Sequence, residues 1–158
     1  MSVPIGAEGL SGLLRRLGGV DMSSFSGRLC LQKKVYLAQA FGAPIGYSFN
    51  WYVRGPYSPI LTRAGYEVAE RYRDSPPMRF SNDEVENRFR AAAAFMRGRT
   101  SDARWLEVVA SIHFLSVCLG MKDKSSIFRT IRGKMPSVTT DELERGWNEL
   151  VKAKVGVS

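Results

Sequence analysis

Residues 47–54, YSFNWYVR, are where this chain changes its hydrophobic period. Tyr47, Phe49, Trp51 and Val53 fall on one face, and Ser48, Asn50, Tyr52 and Arg54 on the other, the alternation of a half-buried strand. Gly55-Pro56 reads as the end of that strand. Ser58 then suits a helix N-cap, with Pro59 at the first helical position, where a missing N–H costs nothing. Around this joint the apolar residues recur mainly at three and four, so the strand must be accommodated by helices. The expectation is a mainly α fold with a small β element, an elaborated helix-turn-helix or winged-helix-like single domain over 1–158.

The helical spans follow from period and punctuation. Residues 1–7 read as a loose end, and 8–17 as a short helix stopped by Gly18-Gly19. A polar loop at 21–26 leads into a stronger helix over 27–41, closed by Gly42. Leu31, Val35, Ala38 and Phe41 share one arc of that helix, with Cys30 and Leu37 beside it. Lys33 points to the opposite side. Lys34 falls inside the apolar arc, which requires its stem to lie along the core and its ammonium to escape to water. The helix after Ser58 is expected to reach Arg73, with Leu61, Ala64, Val68 and Tyr72 inward. Asp74-Ser75-Pro76-Pro77 breaks the chain, a possible sub-boundary near 74–80, and 78–80 reads as a short return strand. Ser81 to Glu84 has capping-box spacing before the helix of Val85, Phe89, Ala92 and Met96. A long helix over 102–119, a short one over 126–133 and a last one over 141–154 complete the count. Thr139 and Glu142 form a second capping box before the last.

With 158 residues the chain is long enough to bury a core without disulfides or metals. It has no apolar run of membrane-spanning length and no signal-peptide layout, so a cytoplasmic location is the default expectation. Cys30 and Cys118 lie far apart with no second Cys or His at ligand spacing, and are expected as reduced, mostly buried thiols. His113, the only histidine, has no ligating neighbour at three or four positions and reads as a hydrogen-bonded core or boundary residue. Cys118, five residues on, falls off its face. No paired-carboxylate, metal or phosphate-loop pattern is present, so neither catalytic residues nor cofactors or metals are assigned and the chain is read as a non-enzyme.

The strongest global signal is a net charge of +8, which favours an anionic partner, nucleic acid first. Up to position 80 there are ten basic and five acidic residues, and thirteen and ten after it. The excess is therefore denser in the N-terminal half. Arg28, Lys33, Lys34, Arg54, Arg63 and Arg71 cluster there. Arg54 stands just before a helix N-terminus, where free backbone N–H groups favour anions, and Tyr57 and Ser58 can add hydroxyl donors. Together they read as a phosphate-contacting patch. The structural alternative for the same residues is that Ser58 caps, Tyr57 packs and Arg54 is solvated. Tyr36 and Tyr52, read as exposed aromatics, suit a protein interface instead, a protein-interaction module being the alternative function.

Two segments, LQKKVYLAQAFG (31–42) and YSFNWYVRGPYSPIL (47–61), resemble a bacterial and archaeal pattern, that of the small YwgA-type proteins. The residues that carry the resemblance are Leu31, Gln32, Lys33, Val35, Tyr36, Leu37, Tyr52, Gly55, Pro56, Tyr57 and Ser58. SIHFL (111–115) and the Thr-Thr-Asp-Glu-Leu helix start are in keeping with it. The chain is more distantly similar to the Panacea (SocA-like) antitoxin and phage-associated group. The first resemblance implies a helix-turn-helix-like fold. The second implies neutralisation of a partner toxin by protein–protein contact. Neither implies a catalytic centre. Lys34 and Arg54 depart from the pattern, and both departures add positive charge beside it.

Overall fold

A computed structural model describes residues 3–158. Among these residues there are seven α-helices and one short hairpin: α1 Ala7–Arg16, α2 Phe25–Ala40, β1 Asn50–Tyr52, β2 Gly55–Tyr57, α3 Pro59–Val68, α4 Asp83–Phe95, α5 Ala103–His113, α6 Lys124–Lys134 and α7 Thr140–Ala153. The mainly α expectation with a small β element holds.

Two helices make the centre. Every residue of α2 from Cys30 to Ala38 is buried, and so is every residue of α5 from Leu106 to His113. A helix buried all round must be covered on every side. α1, α3 and α4 gather on the α2 side, α6 and α7 on the α5 side, and β2 touches both central helices. α7 carries the capping box read from its sequence, Thr139 and Glu142 exchanging hydrogen bonds with each other's backbone N–H.

Several local expectations are corrected. Gly55-Pro56 does not end the strand; it begins the second one. Asn50 pairs with Tyr57, Trp51 with Pro56 and Tyr52 with Gly55, leaving Val53-Arg54 as a two-residue turn. Val53 therefore leaves the inward face and is exposed. Gly55 has φ +92°, and a Cβ there would stand 2.5 Å from Ser111 Oγ on α5, so the hairpin lies flush on that helix only because this residue has no side chain. α3 stops at Val68, five residues short of the expected end, and continues in turns. Tyr72 consequently leaves the helical arc and packs on Gly19.

Residues 78–80 form no strand, because no strand edge adjoins them. Their backbone is held by side chains: Arg16 donates to the Met78 carbonyl at 2.7 Å, and the Phe80 N–H donates to Glu86 at 3.0 Å. Asn82, not Ser81, caps α4. The long helix expected over 102–119 is α-helical only to His113, and Phe114–Cys118 form a π-helical turn. Among the described residues no helix is long and apolar enough to cross a membrane.

Candidate functional site

The hairpin is fixed over the N-terminal half of α2 by buried polar groups. Lys33 donates to the Pro56 carbonyl at 2.6 Å. Gln32 reads both backbone groups of Ser58: its Oε1 accepts from the Ser58 N–H at 2.8 Å, and its Nε2 donates to the Ser58 carbonyl at 2.9 Å. Ser58 is buried and caps α3 through the Leu61 N–H. Across the turn, Arg54 reaches Glu107 of α5 at 3.8 Å and lies over the Phe25 ring at 5.2 Å. These contacts place β1, the turn, α3 and the start of α2 around one concavity of about 330 Å³.

Its walls are apolar and its rim is basic. Phe25, Leu29, Tyr52, Val53, Tyr57 and Tyr66 form the walls, and Arg28 and Arg54 line it as well. Phe25, Tyr52, Val53 and Tyr66 are exposed by 56, 44, 68 and 56%, unusual for four large apolar side chains gathered around a single hollow. At one wall Gln32 Nε2 donates to Thr62 Oγ1 at 2.9 Å, and Thr62 donates to Tyr57 Oη at 2.8 Å.

The expected phosphate patch is largely dismantled. Lys33 is fully buried between α2, β2 and α5, because α2 has no solvent side at this point. Burial depresses its pKa to about 7, against the opposing pull of Glu107. Lys34 does not reach water either. It donates to the Leu17 and Gly19 carbonyls at 3.0 and 2.7 Å, capping the C-terminal end of α1, and burial lowers its pKa to about 8. The groove above it, about 690 Å³, runs between Gly18-Gly19, the 21–26 loop and Tyr72.

The α3 N-terminus has little left for an anion, since Pro59 has no N–H, the Ser58 N–H is taken by Gln32 and the Leu61 N–H by the Ser58 hydroxyl. Arg63 and Arg71 are exposed, Arg71 paired with Glu67. Arg28 is half-buried and donates to the Met22 carbonyl at 3.0 Å. Glu107, beside Arg54, has its pKa raised by burial, with Arg54 and then Lys33 pulling it back down.

Tyr36 is not an exposed anchor. It is buried, and its hydroxyl stands 2.6 Å from His113 Nδ1. His113 Nε2 lies 3.0 Å from the Val155 carbonyl. A carbonyl only accepts, so Nε2 carries the proton and Tyr36 donates to Nδ1. Burial lowers the His113 pKa and raises that of Tyr36. This is the hydrogen-bonded core histidine expected from the sequence. Cys118, expected off its face and buried, is exposed and 3.4 Å from the same hydroxyl. The π turn accounts for this, since its i to i+5 repeat stacks residues five apart. Both cysteines are free, and Cys30 is buried as expected.

Of the residues read from sequence, Arg28, Lys33, Arg54 and Tyr57 meet at the pocket, as does Tyr52. Phe25, Gln32, Thr62 and Tyr66 were not read as site residues. Two signals point to them: Phe25 is an apolar residue stranded in a polar loop, and Tyr66 lies off the apolar arc of its helix. Among the described residues no three His, Cys, Asp or Glu side chains gather as a metal set. Comparison with protein-family models, curated proteins and solved structures gives no match.

Proposed function

We propose that this protein is a protein-interaction module, and that the aromatic pocket between the hairpin, α2 and α3 is where a segment of its partner docks. One observation carries the reading: four large apolar side chains stay exposed around a concavity of about 330 Å³ whose scaffold is held by buried hydrogen bonds. A hollow of that size takes one large side chain, and exposed tyrosines around it supply contact area with few rotatable bonds to freeze. The resemblance to the Panacea group, which acts through protein–protein contact, points the same way.

The test is selection from a display library of random 12-residue peptides on the whole purified chain, repeated on Tyr52→Ser and Tyr66→Ser. Peptides that bind the wild type and lose at least tenfold in affinity on either variant support the reading. A library yielding no such peptide overturns it.

A second reading, nucleic-acid binding, is favoured by the exposed guanidiniums of Arg54, Arg63 and Arg71, with Arg54 lying over the exposed Phe25 ring. It predicts association with labelled 20-mer DNA or RNA that weakens steeply between 50 and 200 mM salt. Salt-insensitive binding, or none at 50 mM salt, overturns it.

A further inference from the structure

The pocket wall contains a chain of hydrogen bonds whose direction is fixed at one end. The Ser58 N–H can only donate, so the Gln32 atom 2.8 Å from it is the carbonyl oxygen and the amide cannot be flipped. Gln32 Nε2 is then a donor, to the Ser58 carbonyl and to Thr62 Oγ1. Thr62 Oγ1, with one lone pair taken by Gln32, donates to Tyr57 Oη at 2.8 Å. Tyr57 Oη accepts within the protein, and its O–H, half-exposed at the pocket wall, has no further hydrogen-bond partner among the described residues. Two guanidiniums, Arg28 and Arg54, line the same hollow with the buried Lys33 amine, and among the described residues no carboxylate does. The Arg54–Glu107 separation of 3.8 Å, with Arg54 half exposed, leaves guanidinium N–H groups available.

On the reading that the pocket docks a partner segment, we infer that the segment is acidic: one large apolar side chain enters between Phe25, Tyr52 and Tyr66, and a neighbouring carboxylate accepts from the Tyr57 O–H and from Arg28 or Arg54. The walls select the apolar anchor by burial. The polar end carries two guanidiniums and a hydroxyl hydrogen, so it favours an acceptor, and positive charge makes an ionised acceptor the best match. A basic segment would leave the Tyr57 hydrogen unmatched and meet two like charges.

The display selection reads this directly. Pocket-dependent peptides should share an aromatic or large aliphatic residue next to Asp or Glu. Changing those acids to their amides should weaken binding about tenfold or more. Tyr57→Phe should cost the acidic peptide about tenfold and its amide counterpart markedly less. Arg54→Gln should add to the loss and lower the salt sensitivity. Thermal melts of both variants establish that they are folded, and Phe at position 57 keeps the ring packing against Tyr52. Peptides that need Tyr52 and Tyr66 but are neutral or basic, or an acidic peptide indifferent to Tyr57→Phe, overturn this inference while leaving the docking reading intact. Failure to recover any pocket-dependent peptide, or recovery of salt-sensitive DNA binding at the pocket instead, overturns both.

Discussion

The groove above Lys34 is about twice the volume of the pocket beneath the hairpin, yet the polar groups of its floor, Asp21, Ser23, Ser24 and Lys34, are already hydrogen-bonded within the protein. Asp21 accepts from the Ser23 N–H and from the Ser23 and Ser24 hydroxyls, and Ser24 caps α2 through the Gly27 N–H at 2.9 Å. These hydrogen bonds hold the Asp21 pKa below its ordinary value. Lys34 spends two of its three hydrogens on the end of α1. In the smaller hollow the corresponding chain, from Gln32 to Thr62 to Tyr57, ends on a half-exposed hydroxyl at the pocket wall. The contrast teaches that size is a poor guide to a site. A floor whose polar groups are matched within the protein is scaffold, and a half-exposed hydroxyl beside guanidiniums among exposed aromatics is an invitation.

The largest single-substitution effect that would test this division is at Gly27. Its missing Cβ faces the Asp21 carbonyl backbone, so Gly27→Ala has to push the groove loop aside. Loss of about 3 kcal/mol in chemical denaturation is expected, at the upper end of overpacking costs. A loss under about 0.5 kcal/mol would mean that the groove loop yields freely and is no scaffold.

The two adjacent lysines give the next effect and separate the two regions. Each has a folded-state pKa below its ordinary 10.5, about 7 for Lys33 beside the pocket and about 8 for Lys34 beneath the groove. Between the folded value and 10.5 the unfolded chain binds the proton and the folded one does not, so stability rises with pH across that window. Below about 7 both states are protonated and the penalty is constant. Wild-type stability should therefore climb by about 3 to 4 kcal/mol from pH 7 to pH 9, the larger part from Lys33. Lys33→Met should flatten that rise more than Lys34→Met, because the Lys33 depression is the larger. Equal slopes in all three proteins would remove the buried lysines as the cause.

The smallest effect belongs to the pocket walls. Phe25→Ser and Tyr52→Ser should each cost no more than about 1 kcal/mol in thermal or chemical denaturation, since both side chains are exposed and keep only edge contacts, Tyr52 on the Tyr57 ring and Phe25 beneath Arg54. A large loss at either would place the aromatics in the scaffold and weaken the docking reading.

How much of this could be read from residues depends on what each residue answers to. Ser58, Pro59, Thr139 and Glu142 have local partners within one turn, and their roles were legible. The strand alternation was legible as far as Trp51, and it failed at Val53 because the turn depends on what Gly55 must fit against, Ser111, fifty-six residues away. Lys33 and Lys34 were misplaced for a related reason. Period assigns a lysine to a side of its helix, but only the tertiary neighbours decide whether that side meets water. The pocket was half legible: Arg54, Tyr57 and Tyr52 stood out by composition. Phe25 and Tyr66 meet them only because α3 folds back on α2, and Gln32 was read for its family pattern and not for the Ser58 backbone it holds.

The wide turn at Phe114–Cys118 has its own consequence for how this chain tolerates change in length. Its backbone bonds run from Leu119 to Phe114, one residue longer than an α-helical step, so it holds a surplus residue without interrupting the ladder. Shortening the chain by one residue within 114–118 would let the segment relax into ordinary α geometry and hand the following loop on nearly in place. The same deletion anywhere in 106–112 would rotate one buried side chain after another out of the core. The surplus residue is also what brings Cys118 to the hydroxyl that holds His113, so a shortened chain would keep its helix and lose that neighbour.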